Sequence, residues 1–461
     1  MNVLTQLSRY FFIILMLFFA LEDYLYFGKR SEEARDRLIS RQIVISHAFV
    51  LMSFLMLFLH TREMRLLLLA AGIILMFIVT IGLYQALYPN ASMLLVNNML
   101  MMLGVGLVMI ARLDIDKAIM QALIAAASTV IAFLVPVIIR KMKFLRNLTW
   151  FYAVIGIGAL GVVLVLATVS GGAKLSIEIA GFTLQLSELV KITLVFFMAA
   201  KLAKDNSFRS AAVTTVVAAM HVGILVLSRD LGTAVVFFAA YIVVVFVATG
   251  KLRYPLAGLL GGSAAAVLAY YLFGHVRARV TAWQDPFAVY ETSGYQIVQG
   301  LFGIGAGGWL GTGLMQGRPD MIPVAMKDAI FAAICEEYGS LFAICLLLVC
   351  MSMFLLIVSI SMRIQNVFYK LIAIGLGAEY AIQVFLTVGG VTKFIPLTGI
   401  TLPLVSYGGS SVMSTIIMIA IVEGLYILRG DEDVEEKEMI RHNAIERMEA
   451  EEEVRYGKTK S

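Results

Sequence analysis

Several carboxylates and cations in this chain have types and spacings suited to acid–base chemistry. M-I-P-V-A-M-K-D-A-I-F at 321–331 sets Asp328 at the mouth of an apolar run. A carboxylate beside a membrane-face cavity can take a proton from an attacking hydroxyl as a general base. The same position also suits a helix cap. Glu188 and Lys191 stand three apart inside another apolar run, so they share a helix face and can pair. Charges inside apolar helices are costly, so this pair either lines a polar cavity or forms a structural ion bridge. Arg229 and Asp230 open a further run in S-R-D-L-G-T-A, where Asp230 suits an N-terminal cap. Glu336 falls about 80° round a helix from Asp328, so with neighbouring Glu337 it can face the same cavity.

The cations and amides that could serve such a base lie in two glycine-rich stretches. The first reads R-A-R-V-T-A-W-Q-D-P-F from Arg277 to Phe287, then G-Y-Q-I-V-Q from 294 and G-I-G-A-G-G-W-L-G-T-G from 303. Its glycines permit close backbone approach. It is no nucleotide loop, because no strand precedes it and no GK[ST] follows. The second runs G-G-V-T-K-F-I-P-L-T-G-I-T-L-P-L-V-S-Y-G-G-S-S from Gly389 to Ser411. Pro396 and Pro403 forbid a regular helix there. Its hydroxyls and backbone groups must find partners that lipid cannot offer, which suits a re-entrant loop lining a polar cavity.

The elements that must position these residues are membrane helices. Of 461 residues, 61% are hydrophobic and 15% charged, far from soluble-domain proportions. Thirteen apolar runs are long enough, or nearly so, to span: 9–27, 43–60, 66–88, 94–111, 117–139, 149–169, 186–203, 211–227, 231–249, 252–274, 329–360, 367–388 and 409–428. No A-x-A cleavage site follows the first run, which reads as an anchor. The polar segments 170–185, 275–328 and 389–408 fall on one side. Arg140, Lys141, Lys143 and Arg146, then Lys201, Lys204 and Arg209, then Lys251 and Arg253, fall in alternate loops on the other. The positive-inside bias makes those loops cytoplasmic, with the N-terminus outside. Arg62 and Arg65 run against this count.

Charge also divides the chain. The tail after Gly430 holds 11 acids and 6 bases, leaving 20 acids and 30 bases in residues 1–429. The tail reads as a charged helix or a disordered, solubilising end. The bases of the membrane part sit in short loops without a continuous basic stripe, so nucleic acid is not an expected partner. Cys335, Cys345 and Cys350 form no CxxC pair and read as small hydrophobes in a helix.

These motifs resemble the FtsW/RodA/SpoVE (SEDS) family. I-P-L-T-G-I-T-L-P-L-V-S-Y-G-G-S-S at 395–411 carries the likeness most specifically. R-x-R with W-x-D-P-F, G-Y-Q-I-V-Q, and D-L-G-T-A at 230–234 also match, with G-A-K at 172–174 and Q-L-S-E-L-V-K at 185–191 more weakly. The similarity covers about residues 94–428. L-G-V-G-L-V-M-I-A-R-L-D at 103–114 looks like the branch with extra N-terminal helices.

The resemblance implies an all-α ten-helix bundle, 94–429, with about three further transmembrane helices in 1–93 and a charged cytoplasmic tail, 430–461. It implies a multi-pass protein of the bacterial cytoplasmic membrane that polymerises lipid II into glycan strands at the outer face. The process would be cell division, elongation or sporulation. The implied partners are a class B penicillin-binding protein and the division or elongation machinery. The family's essential acid maps onto Asp328. Candidate substrate-binding residues are Arg277, Arg279, Gln296, Glu188, Lys191, Lys393, Ser406 and Ser410. A divalent cation such as Mg²⁺ could screen the diphosphate, although no metal-binding motif is present. The chain departs from the family at Leu186, Ser176, Lys327 and Ala329. Lys327 is expected to lower the pKa of Asp328. The competing readings are a lipid II flippase and an inactive scaffold for a partner synthase.

Overall fold

The apolar runs become helices, four of which, among the described residues, start on a polar side-chain cap. The computed structural model describes residues 2–166, 168–170, 173–179 and 182–430, with side chains over 6–166 and 184–430. The acidic tail from 431 and Gly172 of the G-A-K motif lie outside the described residues.

The N-terminal helices are α1 (Asn2–Gly28), α2 (Glu32–Thr61) and α3 (Met64–Leu87). Then follow α4 (Met93–Leu113), α5 (Ile115–Ala132), the short α6 (Val135–Lys141) and α7 (Thr149–Leu166). A three-stranded antiparallel ribbon occupies the polar stretch expected at 170–185: β1 (Thr168–Ser170), β2 (Ala173–Ile179) and β3 (Phe182–Leu184). The chain continues through α8 (Ser187–Lys204), α9 (Phe208–Leu227), α10 (Leu231–Thr249) and α11 (Arg253–Leu272). Asp114 caps α5, Ser207 caps α9 and Asp230 caps α10, each accepting a first-turn backbone N–H. The capping role expected of Asp230 is therefore present.

The segment 275–328 is not one continuous loop. It holds α12 (Gly274–Gln284) and α13 (Tyr295–Gly307), which at 11 and 13 residues are too short to appear in a search for spanning runs. The expected run 329–360 is likewise two helices, α14 (Ile330–Tyr338) and α15 (Ser340–Arg363). They break at Gly339, whose φ of +89° favours glycine. A Cβ there would collide with the backbone of Leu310 and Gly311, so the glycine stretch packs directly on the break. The bundle closes with α16 (Val367–Val391) and α17 (Gly409–Gly430).

Twelve described helical spans are long and apolar enough to cross a membrane. The thirteenth expected run is α8, which four charged residues, Glu188, Lys191, Lys201 and Lys204, remove from that set. Of the two discordant outer bases, Arg65 is neutralised locally, pairing with Glu63 and with Asp116 at 2.7 Å.

The first three helices are no loose addition. One hydrophobic core runs from Phe12 on α1 to Ile427 on α17. Helix α4 lies inside it with 18 of 21 residues buried, packed against α2, α3, α5 and α15. By contrast, α11 buries only Pro255 and leaves its leucines outward. Phe12, Phe49, Tyr338 and Phe342 form an aromatic cluster that joins α1 and α2 to the α14–α15 break, with Tyr338 and Phe342 stacked at 4.5 Å.

Candidate active site

Four segments bring Asp328 to a polar cleft at the outer end. The turn before α14 carries Asp328 itself. Gln296, in the first turn of α13, donates from Nε2 to Asp328 Oδ2 at 3.0 Å. Arg279, on α12, donates from Nη1 to the Thr398 carbonyl at 2.9 Å. The 392–408 loop supplies Gly399 between them: a Cβ there would stand 3.9 Å from both Arg279 Nη2 and Asp328 Oδ2. Gly399 also has a φ of +77°. A side chain at this point would strain the backbone, and its Cβ would sit in van der Waals contact with both charged groups.

The 392–408 loop is seated firmly, which fixes that geometry. A Cβ on Gly106 of α4 would collide with the Val405 carbonyl, so only glycine lets the loop settle there. Ser406 accepts from the Leu402 N–H at 2.8 Å and donates to the Lys327 carbonyl. Tyr407 N–H donates to the Met326 carbonyl at 2.7 Å. Gln121 of α5 spans Ser406 O at 2.8 Å and the Gly408 N–H at 2.9 Å. These bonds hold the two residues just before Asp328. Five of the six described non-glycine residues with positive φ lie in segments around the cleft: Arg229, Met315, Val324, Lys393 and Leu404. Such strain persists only where the surroundings over-determine it.

Electrostatics suit a base. Burial pushes the Asp328 carboxyl above the ordinary range. The Gln296 hydrogen bond, Lys327 and Arg279 pull it back without cancelling the rise. The lowering expected from Lys327 alone is thus outweighed by desolvation. Burial also lowers the Arg279 pKa, while Asp230 and Asp328 hold the guanidinium charged from two sides.

The other expected residues divide into three groups. Glu188 and Lys191 are 6% and 4% exposed and sit beneath the cleft. Lys191 donates to Glu188 Oε2 at 2.7 Å and to Gln383 Oε1 at 2.9 Å. Gln383 donates in turn to the Thr401 carbonyl at 3.1 Å, and Ser414 to Glu188 at 3.0 Å. The pair therefore supports the loop from below. Ser410 accepts from the Gln185 N–H at 2.9 Å, and Gln185 and Ser187 both reach Asp230 Oδ2. That cluster ties three of the sequence motifs together. Ser406 is buried and wholly engaged in loop contacts.

Two residues stand apart. Arg277 is exposed and turns back to the Tyr271 carbonyl and the Tyr270 ring. Residues two apart on a helix point about 200° from each other, so Arg277 and Arg279 cannot both face the cleft. Lys393 stands at the rim, where its carbonyl accepts from Trp283 Nε1 at 3.1 Å. Glu336 and Glu337 do not join Asp328 either. Glu337 pairs with Arg112 of α4 at 2.9 Å, and Glu336 accepts from the Arg318 N–H at 2.7 Å. Both hold the 312–318 turn against α14.

Sequence reasoning missed Gln383 and Gly399. Gln383 was visible as a polar residue inside an apolar run, four after Glu379 on the same helix face. Among the described residues, no group of three or more His, Cys, Asp or Glu converges as a metal cage. A divalent cation there would depend on substrate oxygens for most of its ligands.

Fold and site together define a multi-pass membrane protein with a preorganised carboxylate–cation cleft at one membrane face. The chain belongs to the FtsW/RodA/SpoVE family, described as cell cycle proteins, whose model matches residues 85–427. It is 36% identical over 365 residues to the peptidoglycan glycosyltransferase RodA of Mycobacterium tuberculosis, spanning 72% of this chain and 77% of that protein. It is 32% identical over 264 residues to the stage V sporulation protein E of Bacillus subtilis, spanning 55% and 70%. Among solved structures, a chain of a peptidoglycan synthase complex that coordinates polymerization and crosslinking aligns with a TM-score of 0.64 at 24% identity. That alignment covers 74% of this chain and 98% of that one. RodA of Thermus thermophilus aligns at 0.56 and 22%, covering 73% and 96%. At these identities the structural likeness concerns the fold. Helices α1 and α2 and nearly all of α3 precede the matched residues. The protein is a multi-pass protein of the cytoplasmic membrane.

Proposed function

We propose that this chain is a peptidoglycan glycosyltransferase that polymerises lipid II at the outer face of the membrane. The observation that carries the reading is Asp328, desolvated, oriented by Gln296 and facing Arg279 across Gly399. Curated relatives over most of the chain bear the same activity in their names.

In the reaction the acceptor sugar's 4-hydroxyl attacks the anomeric carbon of a lipid diphosphate-linked glycan. The new bond forms from that hydroxyl oxygen, and the bond from the anomeric carbon to the diphosphate oxygen breaks. Asp328 takes the hydroxyl proton, and the lipid diphosphate leaves with the bonding electrons. Burial strengthens Asp328 as a base by raising its pKa towards the working pH. The Gln296 amide fixes one carboxylate oxygen, which leaves the other for the hydroxyl. Arg279 and Lys327, the cations within electrostatic reach of Asp328, offer positive charge to the developing diphosphate, while Lys393 stands apart. Arg277 and the buried Lys191 do not face that charge; Lys191 acts through Gln383 and the Thr401 carbonyl. A class B penicillin-binding protein is the partner we assign for crosslinking, in keeping with the synthase complex that shares this fold.

Purified protein given lipid II should form glycan strands, and Asp328→Asn should abolish them without loss of folded protein. Lipid transfer between leaflets with no polymer would overturn the assignment in favour of transport.

A further inference from the structure

The cytoplasmic end carries a second polar cavity, of about 510 Å³, far from Asp328. Its walls are the 3₁₀ turn Lys143–Asn147, the end of α8 and the start of α16. Arg146 and Lys204 face it from two of these walls, and no acidic side chain lines it. Neither cationic side chain has a hydrogen-bond or ion-pair partner among the described residues. Asp205, next to Lys204, is occupied by Ser207, accepting from its N–H at 2.9 Å and its hydroxyl at 2.6 Å.

The rest of the lining is mixed. Asn147 and Asn366 add amides, while Val367 and Phe368 add apolar surface. Asn366 spends its side-chain oxygen on the Phe368 N–H at 3.0 Å, and its NH₂ group has no partner among the described residues. Phe144, in the same 3₁₀ turn as Arg146, and Trp150, in the first turn of α7, are exposed. Exposed aromatics at this level mark the headgroup zone of a bilayer. A cavity with two unpaired cations, amide donors and an apolar flank matches a phosphate group attached to a hydrocarbon chain.

We infer that this cavity binds the headgroup of an anionic phospholipid of the inner leaflet. Unpaired cations at that surface meet a negative potential that attracts them. The cavity lies between the inner ends of α8 and α16, whose outer halves carry the Lys191–Gln383 contact. A bound lipid therefore bridges the two helices that support the catalytic loop. The inference stands whether or not the chain transfers glycans.

The test uses the purified full-length protein, with dioleoylphosphatidylglycerol and dioleoylphosphatidylcholine as probes. Native mass spectrometry reads retained lipid, and thermal unfolding reads the stabilisation that any ligand of the folded state must give. Phosphatidylglycerol should be retained over phosphatidylcholine and should raise Tm. The double variant Arg146→Ala, Lys204→Ala should lose about tenfold or more of that retention. The control Lys251→Ala, Arg253→Ala, at another inner loop, should keep it. Both target side chains are exposed, so folding should be unaffected; Arg146→Lys should retain binding as a charge-preserving check. Equal retention of the two lipids, or equal loss in the control, would mean general surface charge and would overturn the inference. Equal stabilisation by inorganic phosphate would mean a soluble anion site and would overturn it as well.

Discussion

Asp328 and Asp23 are each held by a glutamine amide, yet their surroundings separate them completely. Asp23, on α1, is 0% exposed and accepts from Gln42 Nε2 at 2.7 Å. Asn98 of α4, with its amide nitrogen turned toward the carboxyl, donates at 2.9 Å. Among the described residues no cation pairs with it; neighbouring Glu22 takes Arg41 instead, at 3.2 Å. Asp328 has one amide partner at 3.0 Å, partial exposure, and Arg279 and Lys327 within electrostatic reach. The contrast teaches that burial alone does not make a carboxylate useful. Asp23 is closed in by its partners and joins α1 to α4. Asp328 keeps an accessible side and has cations placed where negative charge would develop.

The largest test of this contrast is Asp328→Asn. Polymerisation should fall by about 100-fold or more, the usual scale for losing a general base, in an assay of glycan strands from lipid II. Its stability should move the other way. The folded state raises the Asp328 pKa, so the neutral form favours folding. That stabilisation is present below the unfolded pKa, about 3.9, and is lost as pH rises through the folded value. The permanently neutral asparagine should therefore match or exceed the wild-type Tm at pH 7.

Asp23→Ala should invert the pattern. Removing it leaves Gln42 and Asn98 with buried donors unmet, a cost of about 1–3 kcal/mol in unfolding free energy. Turnover per folded molecule should stay unchanged. If Asp23→Ala instead stops turnover in folded protein, the division between the two aspartates fails.

The amides sharpen the comparison further. Gln296→Ala should lower kcat about tenfold, the scale of one hydrogen bond to a charged group. It should also move the pH–rate midpoint upward, because that bond favours the ionised form. In the wild type, activity needs ionised Asp328, so it should rise with pH to a plateau, with its midpoint above that of ordinary aspartate. Gln42→Ala should leave the pH profile alone. The smallest effect belongs to Arg277→Ala, within about twofold, because its side chain is exposed and turned away from the cleft. A loss as large as that of Arg279→Ala would show that α12 rotates in the working enzyme.

The contrast also shows what the sequence could disclose. Spanning helices were legible because bilayer thickness demands long apolar runs: twelve of the thirteen runs correspond to the described apolar spans, and the other, α8, is a helix set apart by its four charges. The break at Gly339 was not, since helix-compatible residues continue on both sides and only the contact with Gly311 shows why the chain turns. Asp328 and Arg279 could be picked from motif likeness. Their separation from Arg277 needed α12 to be recognised as a helix, and its apolar content is too low to announce one. Lys191 could be paired with Glu188 by spacing alone, but its bond to Gln383 is 192 residues distant and belongs to tertiary structure.

The burial of α4 also bears on how the protein is made. Asn97 and Asn98 would be costly facing lipid, and in the finished bundle they meet α2, α1 and α15 instead. Helices α1–α3 leave the ribosome before α4. When α4 enters the bilayer, its companions on that side are already there, and Gln42 and Asp23 can receive its amides before α15 has been translated. The helices that precede α4 in the chain thus hold the partners for its polar face.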